Sequence, residues 1–335
     1  MEGIEWGHRW ALALPVSHSD SGPSIFLNPL GDVYLGQDIK TGQDVALKLE
    51  PIQTQTPRLS HEHTIYKALS GMPGIPTMHW YGREVPYHVL VLDRLNLTLE
   101  EVISKCHDIN LVFLYANQMV LSICFSQTFS LNPLLQLSCL ESLHERSYIH
   151  RDVKPANFMT SIGELSRVSL IDFGLAQLFR DPSTRRHVPL VSGLKTVGTI
   201  TFTSINSHSG QMQSRRDDLE SLVYSIVYLC RGRLPWQDII KRYSIDKYGA
   251  SVLEKKIALS KTLCQGLPAP FVAFTQYIQS LSFDEKPQYN YLHALLMQCS
   301  AHSSNDVVLN PVTVSPSFGK LAPPAKCSPP RSSQM

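Results

Sequence analysis

The sequence predicts an α+β protein in two parts, a small β-rich first part and a larger helical second part. Before about residue 95 it contains short apolar runs separated by turn residues, which is the pattern of strands. After about residue 98 the apolar residues recur at helical spacing. The chain has 335 residues, 43% of them hydrophobic and 17% charged. It is therefore globular in composition and long enough to bury one large core or two medium ones.

The first part contains a predicted hairpin, a helix and a further strand. Residues 32–36 and 44–50 form two strand-like runs on either side of the turn at 40–43, which predicts a β-hairpin. Residues 59–69 have helical spacing. Residues 88–92 form a compact apolar run, which predicts a buried strand.

The helical part is interrupted once. Residues 111–119 and 140–146 have the pattern of the two ends of one amphipathic helix, and residues 121–139 between them differ in composition from both flanks. Asn132 followed by Pro133 predicts the start of a new helix, because asparagine caps a helix and proline is tolerated at its first position. Two interpretations of this atypical segment stay open. It is a surface loop, which lengthens at low entropic cost, or the product of an unspliced intron or wrong splice site.

The folded domain is predicted to span residues 1–300, with its first lobe at about 8–95 and its second at about 96–300. Residues 301–335 are predicted to be a disordered tail. Ser-Pro, Pro-Pro and Ser-Ser pairs dominate the last part of this range, and such a composition cannot bury enough apolar surface to fold.

Composition argues against several classes of function. The formal net charge is only +2 and no basic stripe is interleaved with aromatic residues, which argues against nucleic-acid binding. No apolar run approaches the ~18 residues that a membrane span needs. The seven cysteines are scattered and form no Cys-x-x-Cys pair, which indicates reduced thiols in an intracellular protein of the cytoplasm or nucleus.

The most informative motif is Ile149-His150-Arg151-Asp152-Val153-Lys154-Pro155-Ala156-Asn157, which is followed after a short interval by Asp172-Phe173-Gly174. An acid, a lysine and an asparagine at this spacing, followed by Asp-Phe-Gly, are the parts that protein kinases use for phosphoryl transfer. That reaction requires a carboxylate to accept the hydroxyl proton, a cation beside the moving phosphoryl group and two ligands for magnesium. The sequence provides all four groups.

Further motifs make the chain similar to the casein kinase I family of serine/threonine protein kinases, over about residues 31–296. The matching strings are Gly74-Ile75-Pro76-Thr77, Ser204-Ile205-Asn206, Gln213-Ser214-Arg215-Arg216-Asp217-Asp218-Leu219-Glu220-Ser221-Leu222, Leu234-Pro235-Trp236-Gln237 and Phe283-Asp284-Glu285-Lys286-Pro287. The resemblance implies the bilobal protein-kinase fold. It also implies a serine/threonine kinase that uses ATP and Mg²⁺.

The resemblance assigns roles to the residues of the central motif. It implies that Asp152 accepts the proton of the substrate hydroxyl, that Lys154 neutralises the transferring phosphoryl group, and that Thr199 orients both. It further implies that Asn157 and Asp172 hold Mg²⁺. Asp218 is expected to anchor the backbone of the central motif, residues 149–157, here called the catalytic loop, by hydrogen bonding, without touching substrate.

The resemblance also places the nucleotide. It implies that Lys48 reaches the α- and β-phosphates and that Glu62 holds this lysine. Asp93 to Leu95 correspond to the hinge that hydrogen-bonds adenine. The other positions implied to surround the nucleotide are Gly31, Val33, Ala46, Leu92 and Met159.

One departure from the family pattern concerns ATP binding. The glycines that precede Gly31 in the family and cover the phosphates are missing here, while Pro23 and Pro29 donate no N–H. We therefore expect weaker ATP binding. This leaves open an alternative function, a pseudokinase that acts as a binding scaffold for partners.

A second departure concerns the protein substrate. Ile200 and Thr201 follow Thr199 where the family has an arginine that helps to bind a phosphate on the substrate. Acidic or pre-phosphorylated Ser/Thr substrates are nevertheless expected through long-range attraction. The basic residues that support this expectation are Arg180, Arg185, Arg186, Lys195, Lys241 and Arg242. The protein is expected to act as a monomer.

Overall fold

The computed structural model describes the ranges 5–6, 10–12, 27–28, 31–102, 104, 132–162, 164–242 and 245–305. Strands dominate the described chain up to residue 93 and helices dominate it from residue 132. The α+β order predicted from the sequence is therefore confirmed. Most of the predicted glycine-loop region, the helix end at 111–119, the first part of the atypical segment and the tail from 306 lie outside the described residues.

The described strands form one large antiparallel sheet and two small pairs. The large sheet has the order β1-β2-β4-β5-β7-β6, with β3 paired to β4, while β9 pairs with β10 and β8 with β11. The strands are β1 (Glu5–Trp6), β2 (Trp10–Leu12), β3 (Leu27–Asn28), β4 (Gly31–Asp38), β5 (Asp44–Pro51), β6 (Met78–Glu84), β7 (Tyr87–Asp93), β8 (Tyr148–Ile149), β9 (Phe158–Ser161), β10 (Glu164–Leu170) and β11 (Gln177–Leu178).

The register of the large sheet places the predicted nucleotide residues on one face. β4 and β5 form the predicted hairpin, with Val33 opposite Lys48. β5 also pairs with β7, where Ala46 lies opposite Leu92. Because side chains alternate along a strand and directly paired residues share a face, Val33, Ala46, Lys48 and Leu92 lie on the same face of the sheet.

The opposite face of the sheet is closed by a small core of its own. The side chains of β5 and β7 that lie between the nucleotide positions are buried there, packed with Trp10 of β2. A register slip of one residue would exchange the two faces. This core therefore fixes which residues lie on the face that carries Lys48. Its buried members are Trp10, Val45, Leu47, Leu49, Val89 and Val91.

The helices follow the sheet, apart from one helix between β5 and β6 that matches the prediction for residues 59–69. The described helices are α1 (Leu59–Ala68), α2 (Asn132–Glu145), α3 (Ile205–His208), α4 (Arg215–Arg231), α5 (Gln237–Arg242), α6 (Ile245–Leu259), α7 (Ala269–Ser280) and α8 (Tyr289–Asn305). α4 lies against α2 and α7, and α8 lies against α2 and α7. The fully buried side chains of Leu140, Leu222 and Phe271 belong to the large core that these helices enclose.

Helix α2 begins at Asn132, as the Asn-Pro pair predicts. Residues 132–139 of the atypical segment are therefore part of a core helix, where Leu137 and Cys139 are buried. Gln136 on the same helix is 0% exposed, and neither of its amide atoms has a hydrogen-bond partner among the described residues. Leaving a buried polar group unpaired costs about 1–3 kcal/mol, so this segment fits the core incompletely.

Helix α8 continues to Asn305, beyond the domain end predicted at residue 300. Its residues Leu292 and Leu296 are buried against the other helices of the second part. None of the described helices combines the length and the apolar composition that a membrane span requires.

Candidate active site

A buried cluster of three charged side chains joins the sheet, helix α1 and the segment after β10. Nζ of Lys48 on β5 lies 2.6 Å from Oε1 of Glu62 on α1 and 3.2 Å from Oδ1 of Asp172. All three residues were predicted from the sequence, although Asp172 is 124 positions away from Lys48. The fold therefore brings the predicted phosphate-binding lysine and the predicted magnesium ligand into direct contact.

In this cluster, the attraction between opposite charges outweighs the effect of burial on the pKa values of Lys48 and Asp172. Burial alone would lower the pKa of Lys48, but the carboxylates of Glu62 and Asp172 outweigh burial and raise it. Burial likewise opposes ionisation of Asp172, but Lys48 outweighs it and the pKa of Asp172 falls below its usual value. Burial raises the pKa of Glu62 to about 7, although Lys48 acts in the opposite direction. Lys48 and Asp172 are therefore charged at neutral pH.

An aromatic column links helix α1 to the catalytic loop. Phe173 is fully buried and meets Tyr66 of α1 edge-on at 4.9 Å between ring centroids. On its other side it meets the His150 ring at 5.5 Å. His150 in turn contacts the carbonyl oxygen of Ile171 through Nε2 at 3.0 Å. The column holds Asp172, which precedes Phe173, at a fixed position between the two parts of the protein.

The catalytic loop brings three predicted residues together. The Thr199 N–H donates to Oδ1 of Asp152 at 2.7 Å. Nζ of Lys154 donates to Oδ2 of Asp152 at 2.8 Å and to Oγ1 of Thr199 at 2.9 Å. The carboxylate of Asp152 thus accepts hydrogen bonds at both of its oxygens, and Thr199 lies where it contacts both residues that it is predicted to orient.

Asn157 forms a hydrogen bond within the same loop. Its Nδ2 donates to the backbone oxygen of Asp152 at 2.8 Å, which leaves the amide oxygen to face another ligand. The Ile171 N–H donates to the carbonyl oxygen of Asn157 at 2.9 Å, and this bond ties the loop to the residue before Asp172. Mg²⁺ usually binds through one or two carboxylates together with substrate phosphates, and Asn157 and Asp172 supply oxygen donors of the right kind.

A nucleotide-bound metal fits the site better than a metal held by protein alone. Within the described part of the chain, no three His, Cys, Asp or Glu side chains come together as a metal site. A magnesium ion at Asn157 and Asp172 would therefore take its remaining ligands from phosphates and water, as it does in phosphoryl-transfer enzymes.

Asp218 on α4 anchors the catalytic loop, as predicted. Its carboxylate accepts the N–H of His150 at 2.7 Å and that of Arg151 at 2.9 Å. It also lies 2.9 Å from Nε2 of His144, whose pKa burial lowers, so this imidazole is neutral near pH 7. Arg151 adopts a left-handed φ of 68°, a conformation that these bonds stabilise.

Gly198 explains how residues 172–206, here called the activation segment, approach the catalytic loop so closely. Its φ is +95°, and a Cβ atom at this position would lie 2.4 Å from the carbonyl oxygen of Arg151. Only glycine permits this approach. Thr199 therefore reaches Asp152 because its neighbour lacks a side chain.

The residues predicted to surround the base lie on two sheets, the large sheet and the β9–β10 pair. Val33, Ala46 and Leu92 are half-buried on one face of the sheet. Met159 on β9 is also half-buried, and it forms an isolated β-bridge with Thr98. Gly31 begins β4 and pairs with Asn28.

The side chain of Asp93, in the predicted hinge, bonds to neighbouring protein groups. The carboxylate of Asp93 accepts the N–H of Thr77 at 2.8 Å and contacts Nε2 of His79 at 2.7 Å. Asp93 and Leu95 line a cleft of about 780 Å³ there, which Gly74 and Arg167 also line. None of the charged residues of the catalytic centre lines this cleft. The size of this cleft therefore does not identify the reaction site. The charged side chains of Lys48, Asp152 and Asp172 mark the candidate site instead.

One set of supporting residues was not predicted as part of the site. Lys256 on α6 is only 1% exposed, and its Nζ donates to the carbonyl oxygens of Ile200, at 3.0 Å, and of Thr203. Nε1 of Trp236 donates to the carbonyl oxygen of Thr201 at 2.8 Å. These bonds hold the segment that follows Thr199. Lys256 lies four positions after the buried Val252, so the two residues share the buried face of α6. This spacing is the sequence signal that indicates the burial of Lys256.

The surroundings of Lys256 differ from those of Lys48. The ammonium lies 4.9 Å from the Tyr224 ring centroid and 5.1 Å from that of Trp236. Burial lowers the pKa of Lys256 to about 7, and the charge of Glu220 only partly opposes this. Burial also lowers the pKa of the neighbouring His208 to about 3, so this imidazole stays neutral.

The basic residues around the activation segment fall into two groups. Arg180 donates to Oγ of Ser147 at 2.9 Å and to the carbonyl oxygen of Glu145 at 3.0 Å, so it supports the fold. Arg185, Arg186 and Lys195 are exposed. The side chains of Lys241 and Arg242 lie outside the described residues. Among the described residues, the expectation that acidic substrates are attracted is therefore supported by exposed charge at Arg185, Arg186 and Lys195.

The order of these elements matches a known family. A family model of the protein kinase domain matches residues 29–265. The chain belongs to the protein kinase family. The match covers strands β4 to β7 of the large sheet, the catalytic loop, the Asp172 segment and helix α4, and it confirms the bilobal α+β kinase fold.

Proposed function

We propose that this kinase is a serine/threonine protein kinase of casein kinase I type, which transfers the γ-phosphate of Mg-ATP to protein hydroxyl groups. The observation that carries the proposal is the joining of Lys48, Glu62 and Asp172 in one buried cluster, next to the Asp152–Lys154–Thr199 group. Every charged group that the reaction needs is present in this arrangement.

Each side chain has a role that its contacts support. Lys48, held by Glu62, would bind the α- and β-phosphates, and Asp172 with Asn157 would hold the metal. Asp152 would accept the proton of the substrate hydroxyl, because its carboxylate is fixed by Thr199 and Lys154. Bound Mg²⁺ would neutralise charge on the phosphates.

Lys154 would neutralise charge that develops on the transferring phosphoryl group. Its ammonium already spans Asp152 and Thr199, so it is positioned before substrate arrives. Preorganised charge of this kind is usually a large contributor to catalysis, because no reorganisation is needed during the reaction.

A thermal-shift assay with and without Mg-ATP, paired with a phosphotransfer assay on an acidic protein such as casein, tests this proposal. Ligand at a hundredfold excess over its Kd stabilises a protein by about 2.7 kcal/mol, so we expect a clear rise in melting temperature. We also expect phosphate incorporation on serine or threonine.

The two assays separate the proposed kinase from the scaffold alternative. The alternative is favoured by the missing glycines before Gly31. No shift at millimolar Mg-ATP and no transfer would contradict the kinase proposal and favour the scaffold alternative. A shift without transfer would show a nucleotide-binding protein that lacks the proposed activity. Phosphate found on tyrosine alone would contradict the proposed specificity.

A further inference from the structure

The N-terminus of helix α1 has no capping side chain of its own. Arg58 occupies the N-cap position, and its side chain makes no capping hydrogen bond. The first N–H groups of a helix have no acceptor within the helix, and a serine, threonine, aspartate or asparagine at the N-cap normally supplies one. Because α1 lacks such a residue there, its first N–H groups need an acceptor from elsewhere in the protein.

Glu50 on strand β5 supplies this acceptor. Its Oε1 accepts the N–H of Arg58 at 2.7 Å and the N–H of Leu59 at 3.2 Å. Glu50 is only 7% exposed, so these bonds lie largely out of water. The helix dipole also favours a negative charge at the N-terminus of a helix. A strand residue eight positions before Arg58 therefore caps α1.

The same strand carries Lys48. Lys48 and Glu50 are two positions apart on β5, so their side chains lie on the same face of the sheet. Glu50 holds the first turn of α1, and Glu62, one turn further along, lies 2.6 Å from Nζ of Lys48. The Glu62 N–H donates to the carbonyl oxygen of Arg58 at 2.9 Å. The contacts of these four residues therefore form a closed ring between strand and helix.

The first turn of α1 also lies against the segment that carries Asp172. A Cβ atom at Gly174 would lie 3.1 Å from Oε1 of Glu62 and 3.8 Å from Cδ of Arg58. A shift of this turn would therefore disturb the contacts around Asp172 as well as the contact between Glu62 and Lys48.

We propose that Glu50 is a positioning residue for phosphoryl transfer, because its carboxylate fixes the first turn of α1 and thereby the place of Glu62 against Lys48. The proposal rests on the proposed kinase function and adds a residue that is not itself assigned to bind nucleotide or substrate. The competing interpretation is a structural role alone, in which Glu50 stabilises the fold without affecting Lys48. The two differ in whether activity changes at a temperature where the variant is fully folded.

Steady-state kinetics of Glu50→Ala, measured well below its melting temperature, test the proposal. The variant keeps Lys48 and Glu62 but removes both bonds to the first turn of α1. We expect kcat/KM for Mg-ATP to fall roughly ten- to a hundredfold, because a misplacement of about 1 Å can cost that much. The KM for the protein substrate should stay unchanged, because no member of the ring belongs to the catalytic loop. A folded Glu50→Ala protein with wild-type kinetics would overturn the proposal.

Two conservative variants separate reach from charge and cover the case in which Glu50→Ala does not fold. Glu50→Gln keeps an oxygen at the same reach. The second carboxylate oxygen of Glu50 accepts no hydrogen bond among the described residues, so an amide nitrogen can replace it. We expect Glu50→Gln to retain most of the wild-type kcat/KM. Glu50→Asp keeps the charge but is one methylene shorter, and we expect it to lose activity as Glu50→Ala does. Activity kept by Glu50→Asp and lost by Glu50→Gln would overturn the assignment.

Glu285→Ala is the matched control. The Glu285 carboxylate also accepts a backbone N–H, that of Ser282 at 3.0 Å, but it lies in the loop between α7 and α8. We expect this variant to keep wild-type kinetics. Equal losses in Glu285→Ala and Glu50→Ala would show a general loss of structure and would contradict the positioning role.

A double variant asks whether Glu50 acts through Glu62. If it does, Glu50→Ala should add little to the loss that Glu62→Gln causes alone, because the two changes break the same chain of contacts. Losses that multiply in the double variant would show that Glu50 acts by another route, against the proposal.

Binding of Mg-ATP, measured by isothermal titration calorimetry, separates failure of this proposal from failure of the kinase function. Weaker binding by Glu50→Ala that Glu50→Gln restores, in a protein that transfers no phosphate, would support the positioning role and overturn the kinase function. Equal Kd values and equal transfer rates in the wild type and Glu50→Ala would do the reverse. A wild type that neither binds Mg-ATP nor transfers phosphate would overturn both proposals.

Discussion

Lys48 and Lys256 are both buried lysines, yet their surroundings have opposite effects on their charge. Lys48 contacts the carboxylates of Glu62 and Asp172, and they raise its pKa against the effect of burial. Lys256 donates to backbone carbonyl oxygens, and burial lowers its pKa to about 7. Burial alone therefore does not set the role of a lysine. Its partners decide whether it carries a permanent charge for a ligand or fixes a loop.

The largest expected effect separates the two lysines by activity. Lys48→Met removes the cation proposed to bind phosphates, and loss of one preorganised charged donor typically costs roughly 10²- to 10³-fold in rate. We therefore expect kcat/KM to fall by about that factor in a phosphotransfer assay. The control is Lys40→Met, which changes an exposed lysine on the turn before β5.

Melting curves accompany this assay, because the substitution leaves two buried carboxylates without their cation. Glu62 already has a raised pKa of about 7 and can take up a proton, which limits the damage to the fold. A cooperatively folded Lys48→Met protein with wild-type activity would contradict the proposed role of Lys48.

A smaller effect is expected at Lys256, which touches no proposed ligand. Lys256→Met removes the donor for Ile200 and Thr203, so the segment after Thr199 should move more freely. We expect kcat/KM for a protein substrate to fall about tenfold while the KM for ATP stays unchanged, which corresponds to the loss of one or two hydrogen bonds from a charged donor. Equal changes in both KM values would show a general loss of structure.

The pH dependence sharpens this comparison. Below about pH 7 the Lys256 ammonium is charged and its bonds to the carbonyl oxygens are strong, and above that pH they weaken. We expect the KM for the protein substrate to rise as pH rises through 7 in the wild type and to stay flat in Lys256→Arg. Neighbouring His208 stays neutral in this range. A flat wild-type profile would contradict the role.

Stability should respond to pH in the opposite direction. The pKa of Lys256 is lower in the folded protein than its usual value of 10.5, so the unfolded chain binds more protons between about pH 7 and 10.5. The contribution of this group to the free energy of unfolding therefore rises with pH in that window. Chemical denaturation at pH 7 and pH 9, compared between wild type and Lys256→Met, measures this contribution.

The smallest expected effect concerns a buried polar group without a partner. Gln136→Met replaces an amide that has no hydrogen bond among the described residues with an unbranched apolar side chain of similar shape. We expect the free energy of unfolding to increase by about 1 kcal/mol, because the desolvation cost of the amide disappears. Exposed Gln265→Met is the matched control and should change stability by less than about 0.5 kcal/mol. Destabilisation by Gln136→Met would show that the amide has a partner.

The parts of the site that the sequence predicted are those whose chemistry fixes both residue type and spacing. Asp152, Lys154 and Asn157 share one short loop, so their proximity follows from the motif itself. The contact of Lys48 with Asp172 across 124 positions followed only from the family resemblance, because nothing local relates these two residues. The hairpin and helix α1 followed from periodicity, since their faces are set by burial.

The parts that the sequence did not predict depend on the three-dimensional arrangement. Lys256 was missed because a lysine on a helix is normally exposed, and only the fold shows that carbonyl oxygens meet it. The exposure of Leu190 and Val191 was missed for the opposite reason. Leu190 and Val191 have the composition of core residues, and only the structure shows that they are exposed.

The central claim is that the buried cluster around Asp172 carries out phosphoryl transfer with a bound metal. The most direct measurement is transfer of radiolabelled γ-phosphate from Mg-ATP to casein by the wild type and by Asp172→Asn, with melting curves for both. We expect incorporation by the wild type and none above background by a folded Asp172→Asn protein. Equal incorporation by the two proteins would contradict it.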